Sequence, residues 1–282
     1  TKTPQEGEKL RKSLLMFDKS FASLPCLTKV DVKQRIAELK NCEFIFSTWY
    51  MPEFSKEEIC KCFPSLKCVF YAAGAVKYFA EPFLRKGVRV FTAASANGIP
   101  VAEFTASQIV LANKGYFQAQ RAYKWPIFRR GFDLARGFVE RKHGNFGAKV
   151  GIIGCGAIGG KVVKLLKPYN LEVFVYDPYL SDECANALGV QKVGIEELFR
   201  TCDVVSNHLP DVLETRGIIT EALLNSMKPT ATFINTCLLY TSDAAEFGRM
   251  VEYMVQAYQD VLDGKQNTCE TSLEEIAKQS TH

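Results

Sequence analysis

The chain has 282 residues, 47% apolar and 23% charged, which is enough apolar material for a sizeable core and too much for disorder as the main state. A dispersed net charge of +4 leaves no electrostatic footprint for nucleic acid, and no apolar run reaches the roughly 18 residues of a membrane span. At about 100–200 residues per domain, the length suggests two domains. Ten cysteines occur without a leading secretory signal, and Cys60-x-Cys62-x5-Cys68 fits no common zinc pattern. Reduced thiols in a cytoplasm are therefore expected. The start at Thr1 rather than Met is read as the mark of a fragment.

Three strand-like runs lie in the first hundred residues: Glu43–Ser47, Leu66–Tyr71 and Val88–Thr92. Each is short, β-branched or aromatic, and bounded by polar or turn residues. Ser55-Lys56-Glu57-Glu58 is a capping-box pattern that opens a helix through Cys62. Tyr78–Lys86 reads as a second helix, stopped by Gly87. Strands alternating with helices predict a parallel sheet covered on both faces, here expected to lack its opening strand. Pro100–Tyr123 reads as one long helix with an apolar stripe. The connector from Lys124 to Gly147 carries Arg129, Arg130, Arg136, Arg141 and Lys142, and is read as a solvated linker rather than a phosphate-binding patch.

A second α/β pattern starts at Ala148. Strands are predicted at Lys149–Ile153, Leu171–Tyr176, Val204–His208 and Thr232–Asn235. Helices are predicted at Ile158–Lys167, Asp182–Leu188, Ile195–Arg200 and Glu221–Met227. In Glu246–Leu262, Phe247, Met250, Met254, Tyr258 and Val261 recur at helical spacing, and Gly264 ends the pattern. Ser272-x-x-Glu275 caps a short last helix.

The strongest chemical signal is Gly154-Cys155-Gly156-Ala157-Ile158-Gly159, a GxGxxG between a predicted strand and a predicted helix. Gly154 permits the tight turn, Gly156 lets a pyrophosphate approach the backbone, and Gly159 lets helix and strand pack closely. The helix N-terminus then offers N–H donors and partial positive charge to phosphates. Asp177 lies 18 residues past Gly159, near the usual spacing of about 20 for a carboxylate that accepts from the ribose hydroxyls. That carboxylate repels the extra phosphate of NADP, and Pro178–Asp182 contains no Arg or Lys to welcome it, so NAD is the expected cofactor. Cys155 invites a redox reading, but a small side chain at a variable position of the turn is the simpler one.

Val150–Gly160 (VGIIGCGAIGG) and Cys202–Cys237 resemble the cofactor domain of the D-isomer-specific 2-hydroxyacid dehydrogenases. Val101-Ala102-Glu103 matches that family's helix start at the domain crossover, and Ala72-Ala73-Gly74 falls at its substrate loop. The resemblance implies an α/β fold of two doubly wound parallel-sheet domains. A flavodoxin-like substrate domain would cover 1–115, a Rossmann NAD domain 116–245, and a C-terminal helical segment, 246–282, would pack back on the first domain. It also implies that Ala157 and Ile158 lie beside the pyrophosphate. His208, Leu209 and Pro210 would cover the adenine, with Thr215 supporting that edge, and Asn235, Thr236 and Cys237 would reach the nicotinamide side. Backbone N–H groups of Ala73 and Gly74 would hold the carboxylate of a 2-hydroxy or 2-keto acid. His208 is thereby read as an adenine-end residue rather than a proton donor, and His143 and His282 as solvated. Trp49, Tyr50 and Met51 line a pocket or pack as core. The family implies a homodimer, and the weak, dispersed charge and short apolar runs imply no nucleic acid or membrane partner.

The pattern then breaks. The family places an Arg two positions after the Thr to grip the substrate, then a Glu that tunes a later His for proton transfer. Here the Arg position is Leu238, and the chain runs through Leu239–Ala245 straight into the closing helix. No catalytic residue is therefore assigned, and the second sheet is expected to be truncated, with a new edge, uncovered apolar surface and poor solubility. Cys237–Ala245 (CLLYTSDAA) can be encoded by TGT CTC TTA TAC ACA TCT GAC GCT GCC, which resembles an adapter of transposon-based sequencing libraries. Three readings follow: a dehydrogenase by descent, inactive as written; a non-catalytic NAD(H) sensor or partner-binding protein; or a chimeric fragment without function. Sequencing the source gene across the codons for Lys228 to Tyr253 is expected to replace the Leu238–Ala245 run with one that encodes an Arg, a Glu and a His in order. An independent clone that encodes the same run would contradict this.

Overall fold

The computed structural model describes residues 4–23, 25–124, 137, 144–210, 212–236 and 244–277. Arg129, Arg130, Arg136, Arg141, Lys142 and His143 of the basic connector lie outside the described residues, as do Cys237, Leu238 and the run to Asp243, and His282. Nine strands are described: β1 (Phe44–Ser47), β2 (Cys68–Tyr71), β3 (Arg89–Thr92), β4 (Lys149–Ile153), β5 (Glu172–Tyr176), β6 (Gln191–Lys192), β7 (Val204–Asn207), β8 (Thr232–Asn235) and β9 (Glu270–Thr271). Two compact units carry them. The first comprises Thr1–Gly98, Pro210–Glu214 and Ser242–His282, and the second Ile99–Leu209 and Thr215–Thr241.

In the first unit the strand order is β1-β2-β3-β9. The first three strands are parallel, and each is apolar on both faces because helices cover both. Val69, Tyr71 and Val90 pack on one side with Ile59, Phe79 and Phe83. Phe70 and Phe91 pack on the other with Leu10, Leu14, Phe247, Met250 and Met254. Phe46, Phe70 and Phe91 stack across the three strands, with successive centroids 5.0 Å apart, and Tyr258 stands edge-on to Phe46 and Phe70. The helix Ala244–Leu262 is thus built into this unit's core. The sheet departs from the expected all-parallel form at β9, which pairs antiparallel with β3. Arg89 and Glu270 clamp that pair with two charge-assisted hydrogen bonds of 2.8 and 2.6 Å.

The second unit has the order β6-β5-β4-β7-β8, all parallel. Counted within the unit, that is the doubly wound order 3-2-1-4-5, with its switch point between β4 and β7. Among the described residues β8 pairs with β7 alone and forms the sheet's edge, with Phe233 half-buried. Val162, Val163 and Leu166 of the helix Gly159–Leu166 cover one face, and Leu198 and Phe199 of the helix Ile195–Thr201 cover the other.

Two helical readings change. Pro100–Tyr123 is not one helix: Ala94–Asn113 runs through Pro100, and Tyr116–Ala122 follows separately. Gly115 separates them with φ +71°, a left-handed conformation that only glycine adopts cheaply. The helices Pro4–Leu15, Lys29–Gln34 and Ile36–Leu39 precede the first strand and have no counterpart in the sequence reading. The capping boxes at Ser55 and Ser272 form with both reciprocal hydrogen bonds.

Gly151 in β4 lies directly beneath a buried leucine. A methyl group there would sit 2.5 Å from Leu198 Cδ2 and 3.1 Å from Cys202 Sγ. Gly151→Ala is expected to destabilise the chain by about 1–3 kcal/mol through overpacking, measured by urea denaturation. An unchanged denaturation midpoint would contradict the packing described.

Candidate functional site

The glycine turn sits at the C-terminal end of β4, at the centre of the second sheet. Its backbone is pinned from both sides: Gly154 N–H donates to Tyr176 O at 2.9 Å, and His208 N–H donates to Ile153 O at 2.8 Å. Gly154 has φ +83°, and a Cβ there would meet the carbonyl of His208 at 3.1 Å. A Cβ on Gly159 would lie 2.0 Å from Gly154 O, a distance no side chain tolerates. The protein's own packing therefore requires both of these glycines. Gly156 differs, because nothing lies within 4 Å of the Cβ it lacks. Its bare backbone faces open space, where a ligand can approach. The N-cap of the following helix is Ile158, and no side chain caps its N–H groups. Gly160 N–H donates to Gly156 O at 2.9 Å, and the N–H groups of the first turn that have no such partner are available to an anion.

Asp177 follows β5, and its carboxylate reaches back to this turn. One oxygen accepts from Cys155 N–H at 2.7 Å and the other from Tyr179 N–H at 2.8 Å. A carboxylate has about four acceptor sites, so two backbone bonds orient it and leave capacity for ribose hydroxyls. Burial, and next the nearby Asp177, push the Cys155 thiol pKa upward. The thiol therefore stays protonated near neutral pH, which argues against a redox role.

On the other flank, Leu209 N–H donates to Asn207 Oδ1 at 3.2 Å, and its half-buried side chain joins the cluster around Leu198 and Phe199. Pro210 is exposed and groups with the first unit, while Thr215 closes a short 3₁₀ turn. Asn235 ends β8 exposed, and Thr236 beside it is buried. His208 Nε2 lies 3.0 Å from Ser206 Oγ, while Nδ1 is buried without a partner. Burial lowers the imidazole pKa to about 4. It is neutral at pH 7 and carries no proton to donate as an acid.

In the first unit, Ala72-Ala73-Gly74 caps the C-terminal end of β2. Thr48 Oγ1 donates to Ala72 O at 3.1 Å, and Thr92 Oγ1 lies 3.0 Å from Ala73 O and 2.5 Å from Gly74 O. These two buried hydroxyls, which the sequence reading missed, hold the loop's carbonyls inward. Ala73 N–H donates to Tyr71 O at 2.8 Å. Gly74 has Asn97 Nδ2 3.0 Å from the position of a Cβ. Met51 is core, whereas Trp49 and Tyr50 are exposed, Tyr50 with the strained φ of +63°. The described cysteines are free thiols, and among the described residues no cluster could hold a metal ion. No helix among them is long and apolar enough to cross a membrane.

The family model of the D-isomer specific 2-hydroxyacid dehydrogenase NAD binding domain matches residues 114–280. A D-3-phosphoglycerate dehydrogenase of Methanocaldococcus jannaschii is 33% identical over 160 residues, 55% of this chain and 28% of that protein. A glyoxylate reductase of Korarchaeum cryptofilum is 27% identical over 210 residues, 71% of this chain and 59% of that protein. The chain thus spans less than two thirds of the length of either curated relative. The structure of D-mandelate dehydrogenase from Rhodotorula graminis superposes with a TM-score of 0.73 at 19% identity, over 92% of this chain and 93% of that one, and shows the shared fold.

The half-buried imidazole, whose Nδ1 is shielded from solvent, makes stability depend on pH. The folded state disfavours the His208 proton, so the unfolded chain binds more of it between pH 6.5 and about 4. Stability is expected to fall as pH falls through that window, by on the order of 3 kcal/mol at full titration. His208→Gln removes that component. Urea denaturation of both proteins from pH 7 to pH 4.5 measures it, and identical pH slopes would contradict the burial of a neutral imidazole.

Proposed function

This chain belongs to the D-isomer specific 2-hydroxyacid dehydrogenase family, and we propose that its second unit binds NAD(H) for hydride transfer between the dinucleotide and a 2-hydroxy or 2-keto acid. The observation that carries the reading is the turn itself. Gly154 and Gly159 are required by internal packing, Gly156 opens to empty space, and Asp177 is fastened to Cys155 N–H. A dinucleotide fits this set: uncapped N–H groups and bare backbone for its pyrophosphate, and an oriented carboxylate for its ribose. NAD would supply the hydride chemistry.

Gly154, Gly156, Ala157, Ile158 and Gly159 would hold the pyrophosphate, and Asp177 would select NAD over NADP by charge repulsion. His208, Leu209, Pro210 and Thr215 would border the adenine, and Asn235, Thr236 and Cys237 the nicotinamide. In the first unit, Ala73 N–H is committed to Tyr71 O, so the substrate carboxylate falls first to Gly74 N–H. The reading extends to a cytoplasmic homodimer, supported by the family's habit and by free thiols.

This chain, as written, lacks the residues that complete the reaction. Leu238 cannot pair with a carboxylate, and no His or Glu in the run to Ala245 can hold a proton at the carbonyl oxygen. His208 does not replace them, being neutral and bonded to Ser206. The same losses favour a second reading, a non-catalytic NAD(H)-binding protein.

Fluorescence titration with NADH, together with an NADH-oxidation assay on a panel of 2-keto acids, tests both. Saturable NADH binding is expected, weakened at least about tenfold by Asp177→Ala, with no turnover. Absence of binding would overturn the dinucleotide reading. NADH oxidation on any 2-keto acid would overturn the claim that the chain cannot complete the reaction.

A further inference from the structure

Between Gly154 and Gly159 the turn contains Cys155, Ala157 and Ile158, and so no cation. The positive charge at this place comes from within the helix. Lys161 is its third residue, and its Nζ donates to Ala157 O at 3.0 Å. Side chains on a helix lean toward its N-terminus, so a residue at this position naturally lies over the preceding turn.

The placement is unfavourable for the protein alone. A cation near a helix N-terminus opposes the macrodipole. Burial, and next Lys164, push the ammonium pKa down. Among the described residues no carboxylate pairs with Lys161 to offset this. The space over Gly156 is open, and the helix carries no side-chain cap. A diphosphate placed there offsets these costs, because it pairs with the ammonium, aligns with the dipole and takes up free N–H donors.

We infer that Lys161 is a diphosphate-binding residue of the dinucleotide site, supplying from the helix the cation that the turn itself lacks. The inference rests on the proposed NAD(H) reading and adds to it a specific charge. It is a binding role, with no part in the hydride step.

Isothermal titration of the full chain with NADH, ADP and adenosine tests it in the wild type, Lys161→Gln and Lys161→Arg. Glutamine removes the charge while keeping a polar N–H donor, and equal thermal melts of the three proteins establish that the fold is retained. NADH and ADP are expected to bind about tenfold more weakly to Lys161→Gln, with Lys161→Arg restoring most of the loss and adenosine unaffected. Equal NADH affinity in wild type and Lys161→Gln would overturn the inference and leave the dinucleotide reading standing. An equal loss for adenosine would also overturn it, because the effect would then be structural. A wild type that binds none of the three would overturn the reading and the inference together.

Discussion

The second unit depends on one contact, the approach of Gly159 to the carbonyl of Gly154. The distance from a would-be Cβ to that oxygen, 2.0 Å, leaves no room for any side chain. Because of it, the helix Gly159–Leu166 starts directly against the end of β4 and buries Val162, Val163 and Leu166 on the sheet. The same approach sets the start of a helix without a side-chain cap beside Gly156, where nothing lies within 4 Å of the missing Cβ. Packing and the proposed binding of a dinucleotide are thus set by the same few atoms.

The flanking strands complete the arrangement. β5 delivers Asp177 to the backbone of Cys155, and β7 delivers His208, whose carbonyl lies against Gly154. These residues lie at the carboxyl ends of strands around the switch point of the sheet, where a parallel topology leaves a crevice. The first unit is built on the same logic with different means. There Thr48 and Thr92 turn the loop after β2 by holding its carbonyls. The loop's carbonyls are held by hydroxyls that are themselves buried.

Local signals were legible where local physics decides the outcome. The helix Asp182–Leu188 and the strand Thr232–Asn235 matched to the residue, because Ser181 caps the helix and turn residues bound the strand. The glycine turn was legible because its requirements are steric and confined to six residues. The break at Gly115 was missed because a glycine inside a periodic pattern looks tolerable until its φ is known. β9 was missed because a two-residue antiparallel strand is defined by its partner β3, far away in sequence. Thr48, Thr92 and Gly151 were silent for a similar reason: each matters through neighbours that only the fold brings near. Leu238 shows the opposite case: the resemblance calls for an Arg there, the sequence plainly has none, and the position lies outside the described residues.

The central claim is that the turn after β4 is a working dinucleotide site in a chain that has lost the groups for proton transfer. Backbone amide spectra of the isotopically labelled chain, recorded while NADH is added, address it residue by residue. The account predicts saturating shifts at Cys155, Gly156, Ala157 and Ile158 and at the residues flanking Asp177, with β6 unmoved. Saturating shifts that leave the turn untouched, or none at all, would contradict it.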